Sequence, residues 1–221
     1  MVNSQAIAPT STVPHPVGEQ RVVFHNLGWQ SYIQILQLLG NNRAARLTYD
    51  RGTLEITMPL EEHEFATRLI ELFIRILVVE MGLKIKTMGS TTLNREDLER
   101  GSEPDNGYYI QNQPLVAGRK VDLTQDPPPD LIVEVDITHT DINKFALYAS
   151  MGVPEFWRYN GQILQIYQLQ MGEYVELQTS PTFPLVPKAK LYEFLEQAQV
   201  DEVASEKAFR TWVHQTLQAG N

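Results

Sequence analysis

The sequence predicts an α/β sandwich of the mixed α+β kind: one central mixed β-sheet flanked by helices and preceded by a β-hairpin. Three observations predict it. Strand-like and helix-like stretches follow one another in the order hairpin, helix, strands, helix, hairpin, terminal helices. Residues 61–81 repeat apolar side chains at helical spacing over five turns. Pro129-Asp130-Leu131-Ile132-Val133-Glu134-Val135-Asp136-Ile137 alternates as a strand does, with flanks that isolate it.

Taken in order, residues 1–20 are rich in Ser, Thr, Pro, Ala and Val without periodicity and read as a disordered arm. Trp29–Leu39 carries Tyr32, Ile33, Ile35, Leu36, Leu38 and Leu39 at helical spacing, and Gly40 with Asn41 ends it. Residues 45–49 and 54–58 flank Asp50-Arg51-Gly52, a hairpin with a short glycine-containing turn. In the helix from Glu61 to about Met81, Ala66, Leu69, Ile70, Phe73, Ile76 and Leu77 form the buried stripe. Glu64, Arg68, Glu71 and Arg75 are its wet positions, and Gly82 terminates it. Leu83–Met88 alternates as a strand. Arg95–Gly101 is charged and reads as a loop or a short helical turn. Gly107–Ile110 is a short strand. After Pro127-Pro128-Pro129 comes the carboxylate strand. Thr138–Thr140 supply cap residues for a helix over Asn143–Met151, which Gly152 ends. Residues 153–159 and 162–169 form a hairpin around Asn160-Gly161. Tyr174–Leu177 adds an edge strand, and 190–199 and 205–218 are helices. The expected organisation is an arm (1–20), one domain (21–180) and a C-terminal helical extension (181–221).

The carboxylate strand carries the functional argument. Side chains two apart share a face, so Leu131, Val133, Val135 and Ile137 point into a core while Asp130, Ile132, Glu134 and Asp136 point the other way. Neighbouring buried carboxylates repel one another unless something compensates. A divalent cation is the usual compensation, and oxygen ligands select Mg²⁺, Mn²⁺ or Ca²⁺. Lys144, on the next helix, adds a cation nearby, and Tyr148 one turn later puts both on a sheet-facing side. Strand carboxylates with a lysine suggest metal-assisted attack of water on a phosphodiester.

Composition narrows the class. With 43% hydrophobic residues a sizeable core is available. The longest apolar run, Leu69–Val79, is broken by Glu71 and Arg75, short of the roughly 20 residues of a membrane span. The N-terminus lacks the layout of a secretion signal, and a cytoplasmic protein without membrane association is expected. There are no cysteines, which excludes disulfides, zinc–thiolate sites and thiol nucleophiles. A net charge of −9 argues against general adhesion to nucleic acid and predicts weak DNA affinity without metal.

Several motifs in the right order give the chain a relationship. Residues 129–137, then Asn143-Lys144-Phe145-Ala146-Leu147-Tyr148-Ala149, then Gly152-Val153-Pro154-Glu155-Phe156-Trp157 resemble the Uma-two family of restriction endonucleases, in the PD-(D/E)xK nuclease superfamily. Leu54–Met58 followed by His63 on a long helix, and Glu103-Pro104-Asp105 before a short strand, resemble that family's N-terminal half. The resemblance spans roughly residues 25–170. It implies a restriction-endonuclease-like core and a Mg²⁺-dependent endonuclease acting on DNA, with Mn²⁺ able to substitute. It implies that Asp105 and Glu134 hold the metal and that Lys144 orients or activates the attacking water. Position 136, where the motif's lysine belongs, is Asp136, so the lysine function passes to Lys144 and Asp136 becomes a possible extra ligand or a cap.

Pro129-Asp130 is a second Pro-Asp pair, but Asp130 sits about 13 Å from Glu134 along one strand, too far to share a metal ion. Asp105 approaches Glu134 laterally and is preferred, although its surroundings also read as a turn. His63 opens the long helix on the face of Ala66, Thr67 and Ile70. It, Glu62 or Glu64 can touch a metal-held water, or His63 can be a packing or capping residue. Trp157 and Phe156 read as core. Lys84, Lys86, Arg119 and Lys120 are candidate phosphate contacts or plain surface cations. Cutting both strands takes two sites, so a symmetric homodimer is expected. The competing class is a catalytically degenerate module on the same fold that binds a partner or nucleic acid. A phosphohydrolase acting on RNA or a nucleotide is a third.

Overall fold

The computed structural model describes residues 20–40, 43–136 and 140–219. Residues 1–19 of the expected arm (1–20), the helix stop at Asn41, the inward Ile137 and the first two of the expected cap residues 138–140 lie outside the described residues; Gln20 begins a strand.

Two sheets are present where one is expected. Strands β1 (Gln20–Phe24), β2 (Arg46–Asp50), β3 (Thr53–Met58), β5 (Leu93–Arg95) and β6 (Arg100–Ser102) form an antiparallel sheet in the order β1-β3-β2-β6-β5. The hairpin β2–β3 is its nucleus. Arg51 and Gly52 both take positive φ (42° and 99°), the twist-matched two-residue turn that favours glycine. Strands β4 (Lys86–Thr87), β7 (Asn106–Tyr109), β8 (Leu131–Val135), β9 (Glu155–Tyr159), β10 (Leu164–Gln170) and β11 (Glu173–Leu177) form the second, in the order β11-β10-β9-β8-β7-β4. Only β8 and β9 run parallel in it, joined through helix α4 (Lys144–Met151). A parallel pair needs a crossover, whereas the antiparallel pairs β9–β10 and β10–β11 are joined by short turns.

The charged stretch 95–101 is not a plain loop. It is β5, a 3-10 turn (Glu96–Leu98) and β6. Its charges are absorbed locally: Arg100 donates to Asp50 Oδ1 (2.8 Å) and to the Ala146 carbonyl (2.9 Å). Gly101 leaves no room for a side chain. A Cβ there meets Tyr32 Oη and lies 2.5 Å from Asn94 Oδ1, two atoms that hydrogen-bond to each other at 2.9 Å. Gly101→Ala is expected to cost about 1–3 kcal/mol through overpacking. Urea denaturation checks this, and a wild-type midpoint would refute it.

Helix α1 (Trp29–Leu39) lays Trp29 and Tyr32 on the apolar face of the first sheet, where Tyr32 stacks on Tyr49 at 4.8 Å between ring centroids. Helix α2 (Glu61–Glu80) covers one face of the second sheet. Its Leu69, Ile70, Phe73 and Leu77 share a core with Leu131, Val133 and Val135. Burying each such side chain contributes about 1.5–3 kcal/mol. Helices α5 (Lys188–Ala198) and α6 (Glu202–Ala219) complete that core through Leu191, Phe194, Phe209 and Val213. A short helix α3 (Gln113–Val116) follows β7. Helix α4 covers the opposite face, packing Leu147 and Tyr148 against Ile132 and Phe156. Asn143 caps it, accepting from the Ala146 amide (3.1 Å), and Gly152 ends it at φ 78°.

Candidate active site

Glu134 stands next to last on β8, 2% exposed, on the face covered by α4. Lys144 and Tyr148 are one helical turn apart on α4, so both reach the sheet. Lys144 Nζ donates to Glu134 Oε2 and to Asp136 Oδ1, each at 2.8 Å. Tyr148 donates its hydroxyl to Glu134 Oε1 and lies 2.9 Å from Ser102 Oγ. Asp136 also accepts from Arg158 Nε (3.1 Å). Lys144 therefore reaches, from the helix, the carboxylates at the end of the strand.

Asp105, in the bend just before β7, reaches the same place from the side. Asn106 pairs with Val133 across β7 and β8, which sets Asp105 beside Glu134. Its Oδ2 accepts from the Val135 amide (2.6 Å) and from His63 Nε2 (3.0 Å). Its Oδ1 is ion-paired with Arg46 of β2, which also donates to Glu64 Oε1 at 2.7 Å. His63, in the first turn of α2, is buried, and its Nδ1 has no hydrogen-bond partner. Nε2 must carry the proton to face a carboxylate, so Nδ1 is a bare lone pair.

Burial and neighbouring charge set the protonation states. Burial, then the cations Arg46 and Lys144, lower the His63 pKa to about 4, so the ring is neutral at neutral pH. Burial raises Glu134 despite Lys144. Burial opposes charge on Lys144, but Glu134 and Asp136 more than offset it and its pKa rises. Asp136 is pushed up by burial and pulled further down by Lys144 and Arg158, ending below the usual range. Burial, then Glu134, holds the Tyr148 hydroxyl protonated. Lys144 is the fixed positive charge of the site.

Asp130 is elsewhere. At the start of β8 it accepts from the Ile110 amide (2.6 Å), the Asn112 amide (2.9 Å) and Asn112 Nδ2 (2.6 Å), which tie the end of β7 to β8. Of the suggested phosphate contacts, Lys86 is spent on the carbonyls of Val116 and Arg119, and Arg119 on Asp126. Lys84 is exposed, and Lys120 borders a large cleft. Phe156 and Trp157 are core, as expected.

Sequence reasoning missed the wall contributed by the first sheet. Arg21, Arg46, Thr48, Glu55 and Thr57 share one face of β1, β2 and β3, and all line the cavity that holds Glu134, Asp105 and Lys144. Glu55 is 2% exposed and accepts from Thr140 Oγ1 (3.0 Å) and the Asp141 amide (3.0 Å), fixing the segment that leads into α4. Glu103 accepts from the Leu47 amide (2.9 Å) and Thr92 Oγ1 (2.6 Å). The available signal was the alternation Arg46, Thr48, Glu55, Thr57, which reads equally well as a solvated face.

The cavity measures about 20 Å³, room for about one water or one ion. Its side-chain donors are mostly carboxylate oxygens, the chemistry that suits Mg²⁺ or Mn²⁺. Among the described residues no group of three or more Asp, Glu or His side chains is arranged so that it could hold a metal ion. The oxygens of Asp105 and Glu134 instead carry Arg46 and Lys144.

A family model described as "Putative restriction endonuclease", Uma2, matches residues 29–201. This chain belongs to the Uma2 family. The match begins at α1 and ends just past α5, and so takes in every residue of the cavity except Arg21. Membership makes the protein one of a nuclease family. A crystal structure from Anabaena variabilis, of "a putative nuclease belonging to DUF820", is similar: 13% identity, 76% of this chain and 99% of that chain covered, TM-score 0.51. At that identity the likeness shows the fold, a mixed α+β architecture of restriction-endonuclease type. No curated protein matches the chain. Among the described residues no helix is long and apolar enough to cross a membrane.

Proposed function

We propose that this Uma2 protein is a metal-dependent endonuclease that hydrolyses phosphodiester bonds of DNA. The observation that carries the reading is the convergence of Asp105, Glu134 and Lys144 from three elements on one small oxygen-lined cavity. Asp105 and Glu134 would hold one Mg²⁺, with Mn²⁺ as a substitute and Asp136 as a further oxygen donor. Mg²⁺ bound there supplies Lewis-acid charge for the phosphoryl oxygens. Lys144 keeps its proton, orients the attacking water and stabilises the negative charge that grows on the phosphate. Tyr148 holds Glu134 in place, and neutral His63 does the same for Asp105 without adding a competing cation. A homodimer would bring two such sites to the two strands of a duplex.

One observation favours the second reading, a catalytically degenerate binding module: Glu134 and Asp105 already have protein cations as partners. A single experiment separates the two. Calorimetric titration with Mg²⁺ and Mn²⁺ on wild type and Glu134→Ala, with plasmid nicking on the same samples, is expected to lose binding and cleavage together in the variant. Intact plasmid and no metal binding by wild type at millimolar concentration would leave the module. Metal binding without cleavage would keep the site, reject this plasmid as a substrate and leave the substrate to be found.

A further inference from the structure

Arg46 occupies the junction of two spaces. On one side is the small cavity of Asp105 and Glu134. On the other is an open cleft of about 710 Å³, bordered by Arg43, Ser90, Thr91, Thr92 and Lys120. Arg46 and Glu103 are the charged residues that line both. Glu103 is locked by Leu47, Thr92 and Arg43. Arg43 is committed in turn to Glu103 and the Gly40 carbonyl. Arg46 is held differently. Its partners are Asp105, the carboxylate a metal would need, and Glu64, whose side chain is 39% exposed.

Two cations on the same carboxylate oxygen repel one another, strongly so in a partly buried site. A divalent ion on Asp105 therefore competes with the guanidinium on Oδ1. The open direction is the cleft, and a planar fork of N–H donors suits a phosphate better than any other side chain does. With a net charge of −9, the chain depends on local cations to hold a polyanion.

We propose that Arg46 exchanges partners: it neutralises Asp105 until a divalent cation takes that carboxylate, then turns into the cleft and binds a phosphodiester next to the one cleaved. The proposal rests on the nuclease reading and deepens it, assigning a substrate-binding residue that also couples metal binding to nucleic-acid binding. Lys120, exposed at the cleft's edge, is placed to meet a further phosphate.

The test uses Arg46→Met and Arg46→Lys. Calorimetry with Mn²⁺ alone reports the exchange without any catalysis. Arg46→Met is expected to bind Mn²⁺ about tenfold more tightly, since the competing cation is gone. Fluorescence anisotropy with a short labelled DNA duplex in Ca²⁺ reports the phosphate contact. Arg46→Met is expected to bind about tenfold more weakly and to lower the slope of log affinity against log salt by about 1. Arg46→Lys keeps the charge but not the fork. It should leave Mn²⁺ affinity near wild type and still weaken the duplex, and it carries the test if the methionine variant fails to fold. Unchanged or weaker Mn²⁺ binding in Arg46→Met, or unchanged duplex binding in either variant, overturns the exchange. A wild type that nicks plasmid while Arg46→Met holds duplex as tightly keeps the nuclease and rejects the role of Arg46. Arg46-dependent binding with intact plasmid does the reverse.

Discussion

Replacing Lys144 with methionine is expected to lower the unfolding free energy by about 3–5 kcal/mol, the usual cost of removing one partner from a buried ion pair. Lys144 is the shared cation of Glu134 and Asp136, 2.8 Å from each, and both acids are buried. Without it Glu134 retains Tyr148 and Asp136 retains Arg158, but two neighbouring carboxylates lose the charge between them. Most of the penalty is electrostatic, so it should be recoverable. Adding Glu134→Gln to Lys144→Met removes the unpaired charge and should restore more than half of the loss, a non-additivity readable in a double-mutant cycle by urea denaturation. On the proposed mechanism cleavage should be absent in both variants, since neither keeps the Lys144 ammonium. A single-variant cost below about 1 kcal/mol would mean the pair is solvated, which its burial contradicts.

That expectation depends on an arrangement only partly legible in the sequence. The carboxylate strand was legible because β8 alternates cleanly: Leu131, Val133 and Val135 face α2, and Ile132 and Glu134 face α4. Helix α4 was legible from its apolar stripe and the Gly152 stop, but Asn143, expected as its first residue after caps at 138–140, is itself the N-cap. The hairpin β9–β10 followed from Asn160-Gly161. Strands β5 and β6 were hidden because a buried arginine looks like a surface arginine until its partners are known. Arg100 finds Asp50 and the Ala146 carbonyl at sequence separations of 50 and 46 residues. The same physics hid the site's second wall. Glu55 and Thr140 are 85 residues apart in sequence, and no local pattern distinguishes a polar face turned to water from one turned to a cavity. With that wall unseen, a metal was the natural compensation for the carboxylates. The wall also brings Arg46 to Asp105, so the protein carries its own counter-charges.

His63 gives that charge balance a pH signature. Its folded pKa of about 4 lies below the ordinary 6.5, because burial and the cations Arg46 and Lys144 disfavour a proton on the ring. Above about pH 6.5 the ring is neutral in both states and exerts no pH dependence. As the pH falls below that value, the unfolded chain takes a proton that the folded chain refuses. Stability then declines, by about 2 kcal/mol at pH 5 and by about 3 kcal/mol once the folded pKa is passed. Other groups titrate over the same interval, so the informative quantity is a difference between proteins. His63→Gln keeps an N–H donor for Asp105 but cannot titrate. Urea denaturation in EDTA, at neutral pH and at about pH 5, should show wild type losing about 2 kcal/mol more than the variant. Parallel losses would place His63 in contact with water and remove the argument for a neutral ring. A steeper wild-type loss would mean that the ring stays uncharged, as its burial and then the neighbouring Arg46 and Lys144 require. Asp105 would then have a neutral donor on Oδ2, with the Arg46 guanidinium ion-paired on Oδ1.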